Sequence, residues 1–194
     1  MLKMLILLLV NFIYLPSITY AGQVTEQHGN LYDDNGQQLT HTDKDSQPAL
    51  SPDGKQIVFV REDALWLMDI SGNNAHAIVL AQEHEDLEKN LANLNNPLFS
   101  LNGTAVYFMS AAWVTSDAIH VIDLSTHKQQ FVTDGNSFEL IAKGKYKDYL
   151  IVSKHKYHEG GGSYEDFWLV SPQGEAIKSL GEEQEQVNAF IRAN

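Results

Sequence analysis

The feature that most constrains this chain is a turn followed by two apolar runs, because the whole unit occurs twice. Ser51-Pro52-Asp53-Gly54 suits a type I turn, with proline presetting φ at the second position and glycine favoured at the fourth. Ile57-Val58-Phe59-Val60 follows, and after a short polar break a second apolar run covers residues 64–70. Neither run has a helical period, so the unit reads as strand, turn, strand, tight loop, strand. Pro97-Leu98-Phe99-Ser100-Leu101-Asn102-Gly103 answers Pro48-Ala49-Leu50-Ser51-Pro52-Asp53-Gly54 at a spacing of 49. Val106-Tyr107-Phe108-Met109 answers the first apolar run at the same spacing, and Ile122-Asp123-Leu124 answers Met68-Asp69-Ile70. Self-similarity on this scale is the mark of a repeat architecture.

A worn third copy follows, with strands expected over residues 138–142, 149–152, 167–171 and 176–180. Residues 75–81 and 129–133 supply the last strands of the first two copies. Ahead of the repeats lie three short strand candidates, at residues 23–25, 30–32 and 37–40. Asp33-Asp34-Asn35-Gly36 reads as the hairpin turn between the last two. It lacks the alternating acids and distal glutamate of a calcium loop. Residues 82–96 carry Leu87, Leu91 and Leu94 at helical spacing, which predicts a loop or short helix inserted between units. The tail places Val187, Phe190 and Ile191 on one helical face and predicts a short capping helix. Insert and tail are the candidates for covering the open ends of the array, which repeat proteins need.

Four strands per unit and units of about 40 to 50 residues describe an all-β, β-propeller-type array of four-stranded antiparallel blades. The chain supplies about three blades plus the N-terminal strands. Here a family resemblance becomes specific. The Ser51-Pro52-Asp53-Gly54-Lys55 turn, its strand and Leu65-Trp66-Leu67-Met68-Asp69 resemble the blade repeat of TolB-like propellers. Ser100-Leu101-Asn102-Gly103 with Val121-Ile122-Asp123 is a second copy that lacks the proline and aspartate. The strong resemblance covers residues 48–124. The same blade also occurs in propellers of prolyl-oligopeptidase-like peptidases and in some sugar lyases, so it speaks for fold more than function. Propellers of this family usually close with six or more blades. The resemblance therefore leaves three forms open: a four-bladed ring, an open partial propeller, or a half ring completed by a second copy.

The first residues form a separate device. Lys3, an apolar stretch over residues 5–15 broken only by Asn11, then Pro16 and Thr19-Tyr20-Ala21, read as a signal peptide over residues 1–21 cleaved after Ala21. The stretch is short for a membrane span, which takes about 20 residues. Residues 22–194 are then one exported domain, periplasmic or secreted, with no stable membrane insertion after cleavage. The chain has no cysteine, which excludes disulfides, thiolate catalysis, cysteine zinc sites and a lipoprotein anchor. A net charge of −12 disfavours nucleic acid and anionic membranes as partners, since both call for a basic footprint.

Catalytic signals are weak. Gly161-Gly162-Ser163-Tyr164-Glu165 holds only the first half of a nucleophile elbow and sits in a hairpin loop. No catalytic residue is expected. His155-Lys156-Tyr157-His158-Glu159 gathers metal-ligand types, but on a strand His155 and His158 would face opposite sides. A metal would need both in a loop with a further ligand such as His120 or His127, so no metal or cofactor is assigned. Trp66 and Trp168 lie in strands and are expected to pack between blades. The expected loops 111–117 and 154–166 occupy equivalent places in adjacent blades and should share one face. That face is the candidate binding surface, with Trp113, Thr115, Ser116 and Asp117 from one loop and His155, Tyr157, His158 and Tyr164 from the other, because loops on a rigid scaffold carry function. The resemblance implies a non-catalytic interaction module of the cell envelope whose partner is an envelope protein or a second copy of itself. The alternative is a ligand-binding or lyase-type propeller for acidic oligosaccharides, with or without a metal.

Overall fold

A computed structural model describes residues 23–194. The signal-peptide reading falls outside those residues. Three four-stranded antiparallel meanders follow one another in chain order. The first contains β3 (Asp45–Leu50), β4 (Gln56–Arg61), β5 (Ala64–Asp69) and β6 (His76–Leu80), preceded by a small sheet of β1 (Thr25–Gln27) and β2 (Asn30–Tyr32). The second contains β7 (Asn95–Phe99), β8 (Ala105–Trp113), β9 (Ser116–Asp123) and β10 (Gln129–Gly135). The third contains β11 (Ser137–Leu140), β12 (Leu150–Tyr157), β13 (Ser163–Val170) and β14 (Ala176–Gly181), and the helix α1 (Gln184–Ala193) ends the chain.

The repeat is written into the backbone. In the first turn the Gly54 amide donates to the Ser51 carbonyl at 2.9 Å, and the Ser51 hydroxyl accepts from the Gln56 amide at 2.9 Å. In the second turn Gly103 donates to the Ser100 carbonyl at 2.9 Å, and Ser100 Oγ accepts from the Ala105 amide at 3.0 Å. The serine thus carries the turn in both copies, and the missing proline costs it nothing in geometry. Gln47 and Asn96, 49 residues apart, both take positive φ, 50° and 49°, where the inner strands shift register. The Gln47 side-chain oxygen accepts the Asn96 amide at 2.5 Å, which stitches the first sheet to the second.

Strand alternation decides what each face meets. On β4, Ile57 and Phe59 turn toward the N-terminal hairpin, where they bury Leu31. Val58 and Val60 turn the other way, into a core shared with Val106 and Phe108 of β8. Tyr107 and Met109 on the opposite face of β8 pack with Leu150 and Val152 of β12. Ile151 and Leu169 of the third sheet meet Val187, with Phe190 and Ile191 beside it. The molecule is therefore a succession: hairpin, three sheets, helix. The tail caps the last sheet, as its periodicity implied.

Of the two forms expected for the insert, loop or short helix, the structure shows the loop. Residues 82–94 contain no helix; Gln82 and Leu91 pair as an isolated bridge, and β7 starts at Asn95. Leu91 and Leu94 are 7% and 3% exposed and belong to the core between the first two sheets. Their helical spacing was the trace of two buried leucines on an irregular segment holding Asp86, Asn90 and Asn93, residue types that favour turns over helix interiors. This segment seals a seam between sheets and is not an end cap.

Candidate functional site

The second and third strands of each sheet meet in a hairpin, and the three hairpin tips lie at equivalent ends of their sheets. In the first sheet only Glu62 and Asp63 separate six-residue strands. In the second, the strands run nine and eight residues and turn at Val114 and Thr115. In the third, both run eight residues and turn through 158–162. The stretches 111–117 and 154–166, expected as loops, are thus mostly paired strand, with Trp113 opposite Ser116 and His155 opposite Glu165. The extensions carry polar or aromatic side chains on both faces, so they show no apolar alternation for a sequence reading to catch.

At the second tip Trp113 is 37% exposed and Val114 fully so. The Trp113 ring meets Phe131 edge-on, with centroids 6.3 Å apart. Thr115 is exposed, and Ser116 and Asp117 are half-buried. Burial pushes the Asp117 carboxyl up, and a hydrogen bond from Asn95 offsets only part of that.

The third tip carries more chemistry. Glu165 accepts hydrogen bonds from Ser153 Oγ at 2.5 Å, from His155 Nδ1 at 3.0 Å and from Asn136 Nδ2 at 3.2 Å. Burial opposes its ionisation, yet the bonds from Ser153, His155 and Asn136 outweigh it and hold the carboxyl below its ordinary range. Tyr157, 66% exposed, sets its ring edge-on to His155 at 4.9 Å. His158 stacks on Tyr164 at 4.5 Å. His155 and Tyr157 share one face of the hairpin with Glu165, whereas Tyr164 stands opposite Lys156 on the other. His155 lies on β12, while His158 lies past its end in the turn, where it stacks on Tyr164. Among the described residues no cluster of three His, Cys, Asp or Glu side chains is arranged to hold a metal ion.

Next to the tip, buried Lys154 reaches into the second sheet, donating to Thr133 at 2.8 Å and Asp134 at 2.6 Å. Burial alone would raise the Asp134 pKa, but the Lys154 bond and charge prevail and lower it. Glu165, Ser153, Asn136 and the Lys154–Asp134 link were not singled out as a set in the sequence. Residues 153–156 and 163–166 show no periodic signal, and only the strand register shows which of them share a face.

Serine and histidine meet elsewhere. Ser110 Oγ lies 2.9 Å from His120 Nε2, and both residues are fully buried. That hydroxyl is closed to solvent. At the third tip Glu165 stands between Ser153 and His155, so the imidazole does not touch the hydroxyl it would have to deprotonate. Ser163 begins a strand, not a helix, which is not the setting of a nucleophile elbow. His127 is exposed in a turn, with φ 56°, and is not brought to His155. Trp66 and Trp168 are half-buried in strands. Trp168 packs at the seam between the second and third sheets, but Trp66 packs toward the N-terminal hairpin with Arg61 4.5 Å from its ring. Among the described residues, no hydrogen bond or ring contact joins the Trp113 group to the His155 group.

No family model matches the chain, and no curated protein matches it. Solved structures do. TolB from Acinetobacter baumannii is 21% identical with a TM-score of 0.52, covering 78% of this chain and 36% of its own. A protein proposed as a TolB from Agrobacterium tumefaciens is 11% identical with a TM-score of 0.60, covering 84% and 58%. Oligogalacturonate lyase from Vibrio parahaemolyticus is 13% identical with a TM-score of 0.56, covering 80% and 46%. The fold is that of TolB-like β-propellers. At these identities the likeness is one of fold, and the chain spans between about a third and three-fifths of the propellers it matches. Among the described residues no helix is long and apolar enough to cross a membrane.

Proposed function

We propose that this chain is an exported, non-catalytic interaction module of the cell envelope, and that it engages a partner protein through the tips of hairpins β8–β9 and β12–β13. The observation that carries the reading is the pair of lengthened hairpins, which lift Trp113, Val114 and Tyr157 out of the stacked sheets. Exposed aromatic and aliphatic groups ringed by hydrogen-bonding side chains form the anchors of protein interfaces. The expected signal peptide and the fold shared with TolB support the envelope setting.

Photo-crosslinking in cells tests this. A photoreactive residue at Val114 or Tyr157 is expected to capture one defined envelope protein, whereas one at Asp53, at the other end of the sheets, is not. Capture of a second copy of the chain instead would mean that two arrays complete a ring. Equal capture from Val114 and Asp53 would sink the reading.

The likeness to oligogalacturonate lyase supports a second reading, binding of acidic oligosaccharides. The net charge of −12 weighs against it, because it repels polyuronides. Saturable binding of oligogalacturonide, measured with and without divalent metal, would reverse the order of the two.

A further inference from the structure

The segment 82–94 is fastened to β8 of the second sheet by bonds at Ser110 and Ala111, and the Ser110 bond continues into a buried chain. Ser110 has a single hydroxyl proton, and it goes to the Asn90 carbonyl at 2.8 Å. Ser110 Oγ must then accept from His120, so the imidazole proton sits on Nε2, 2.9 Å away. His120 Nδ1 is left fully buried without a hydrogen-bond partner. A bare acceptor nitrogen is tolerable there, because the ring is stacked on Phe108 at 5.2 Å and met edge-on by Phe131 at 5.9 Å. A second proton is not. It would create a charge between two phenyl rings and a donor with nothing to receive it. Asn90 also donates to the Ala111 carbonyl at 2.8 Å, and its own side-chain oxygen holds the His84 amide at 2.9 Å.

We propose that the His120–Ser110–Asn90 chain is a proton-sensitive latch: it holds residues 82–94 closed at neutral pH, and acid releases this segment while the sheets stay folded. The groups facing His120 are Phe108 and Ser110 from β8, Phe131 from β10 and Asn90 from the segment, and none of them is charged. Burial is accordingly the cause that lowers the His120 pKa, to about 4. The charged groups of the segment, Glu83, His84, Glu85, Asp86, Glu88 and Lys89, are exposed to water. Asp63, at the tip of β4–β5, receives the Leu94 amide at 3.0 Å and fixes the far end of the segment. Release would bring out Leu91 and Leu94, which now close the seam between the first two sheets. An acid-exposed apolar strip would follow, beside the tip of β4–β5.

The test is hydrogen exchange of the Gln82, Leu91 and Ala111 amides, which bond to Leu91, Gln82 and Ala92 carbonyls, corrected for the intrinsic rate and read against β12 amides. Between about pH 7.5 and about pH 4.5, the opening ratio of the segment is expected to rise roughly fifty- to hundredfold while β12 keeps its protection. His120→Gln keeps a donor toward Ser110 but takes no proton, so the pH dependence should vanish. His84→Gln, which removes the other histidine of the segment, should leave it intact. Equal pH dependence in His120→Gln, or loss of β12 protection in step with the segment, would overturn the latch. If His120→Gln does not fold, the titration of His120 in the natural protein decides by NMR: a midpoint at or above the ordinary histidine value would overturn it as well.

Discussion

The second and third sheets each bring a serine and a histidine close together, and the two arrangements have opposite characters. Ser110 and His120 are sealed under residues 82–94, with no charge beside them and one nitrogen unsatisfied. Ser153 and His155 share Glu165, whose side chain is 40% exposed. The same residue types thus make a neutral, enclosed chain in one sheet and a partly exposed, charge-assisted cluster in the next. Exposure, not composition, sets the chemistry: a buried group keeps the protonation state its few partners dictate, while an exposed one is buffered by water.

Four substitutions and one titration would break or sharpen this contrast. The largest effect is expected from Phe108→Ala, which deletes a fully buried ring shared by the core of the first two sheets and by His120. A loss of about 3–5 kcal/mol in chemical denaturation is the typical cost. If the cost is under about 1 kcal/mol, the seam is not packed as described.

Next comes acid. The folded-state pKa of His120 lies below its ordinary value, so the unfolded chain binds the proton first and stability must fall as the pH drops. The loss begins near pH 6.5 and is complete below about 4, on the order of 3 kcal/mol. Denaturant midpoints across that window measure it, and a flat profile would mean that water or an unseen partner reaches the imidazole.

A matched pair isolates burial itself. Ser110→Ala leaves the His120 Nε2–H without its acceptor in a dry site and is expected to cost about 1–3 kcal/mol. Ser153→Ala takes one donor from a carboxylate that water can reach, and should cost well under about 1 kcal/mol. Equal costs would erase the distinction drawn between the two sites.

The smallest change is Glu165→Gln, expected to cost about 0.5 kcal/mol or less for a partly exposed group. Because the Glu165 pKa is lowered, its contribution is present above the ordinary glutamate value of 4.5 and disappears as the pH falls through the folded value. The Gln variant should therefore show its small cost at neutral pH, lack the shallow acid-side slope, and match the natural protein below the folded value.

The sequence by itself determined the units. The serine-led turns at 51 and 100 and the apolar runs after them required only local chemistry, and the structure places strands there. The face each run presents followed from the strand period, and the capping helix followed from Val187, Phe190 and Ile191. The tertiary structure alone decided the rest. Leu91 and Leu94 look helical in a list of residues, yet they go into a seam that exists only when two sheets meet. Residues 154–166 read as loop because they show no apolar alternation. It was the register placing His155 opposite Glu165 that turned them into a strand pair and brought Ser153 and Asn136 to one carboxylate. Periodicity is a property of neighbours along the chain and can be read from it, whereas a hydrogen-bond cluster joins residues up to 29 positions apart and depends on a register that only the assembled sheet fixes.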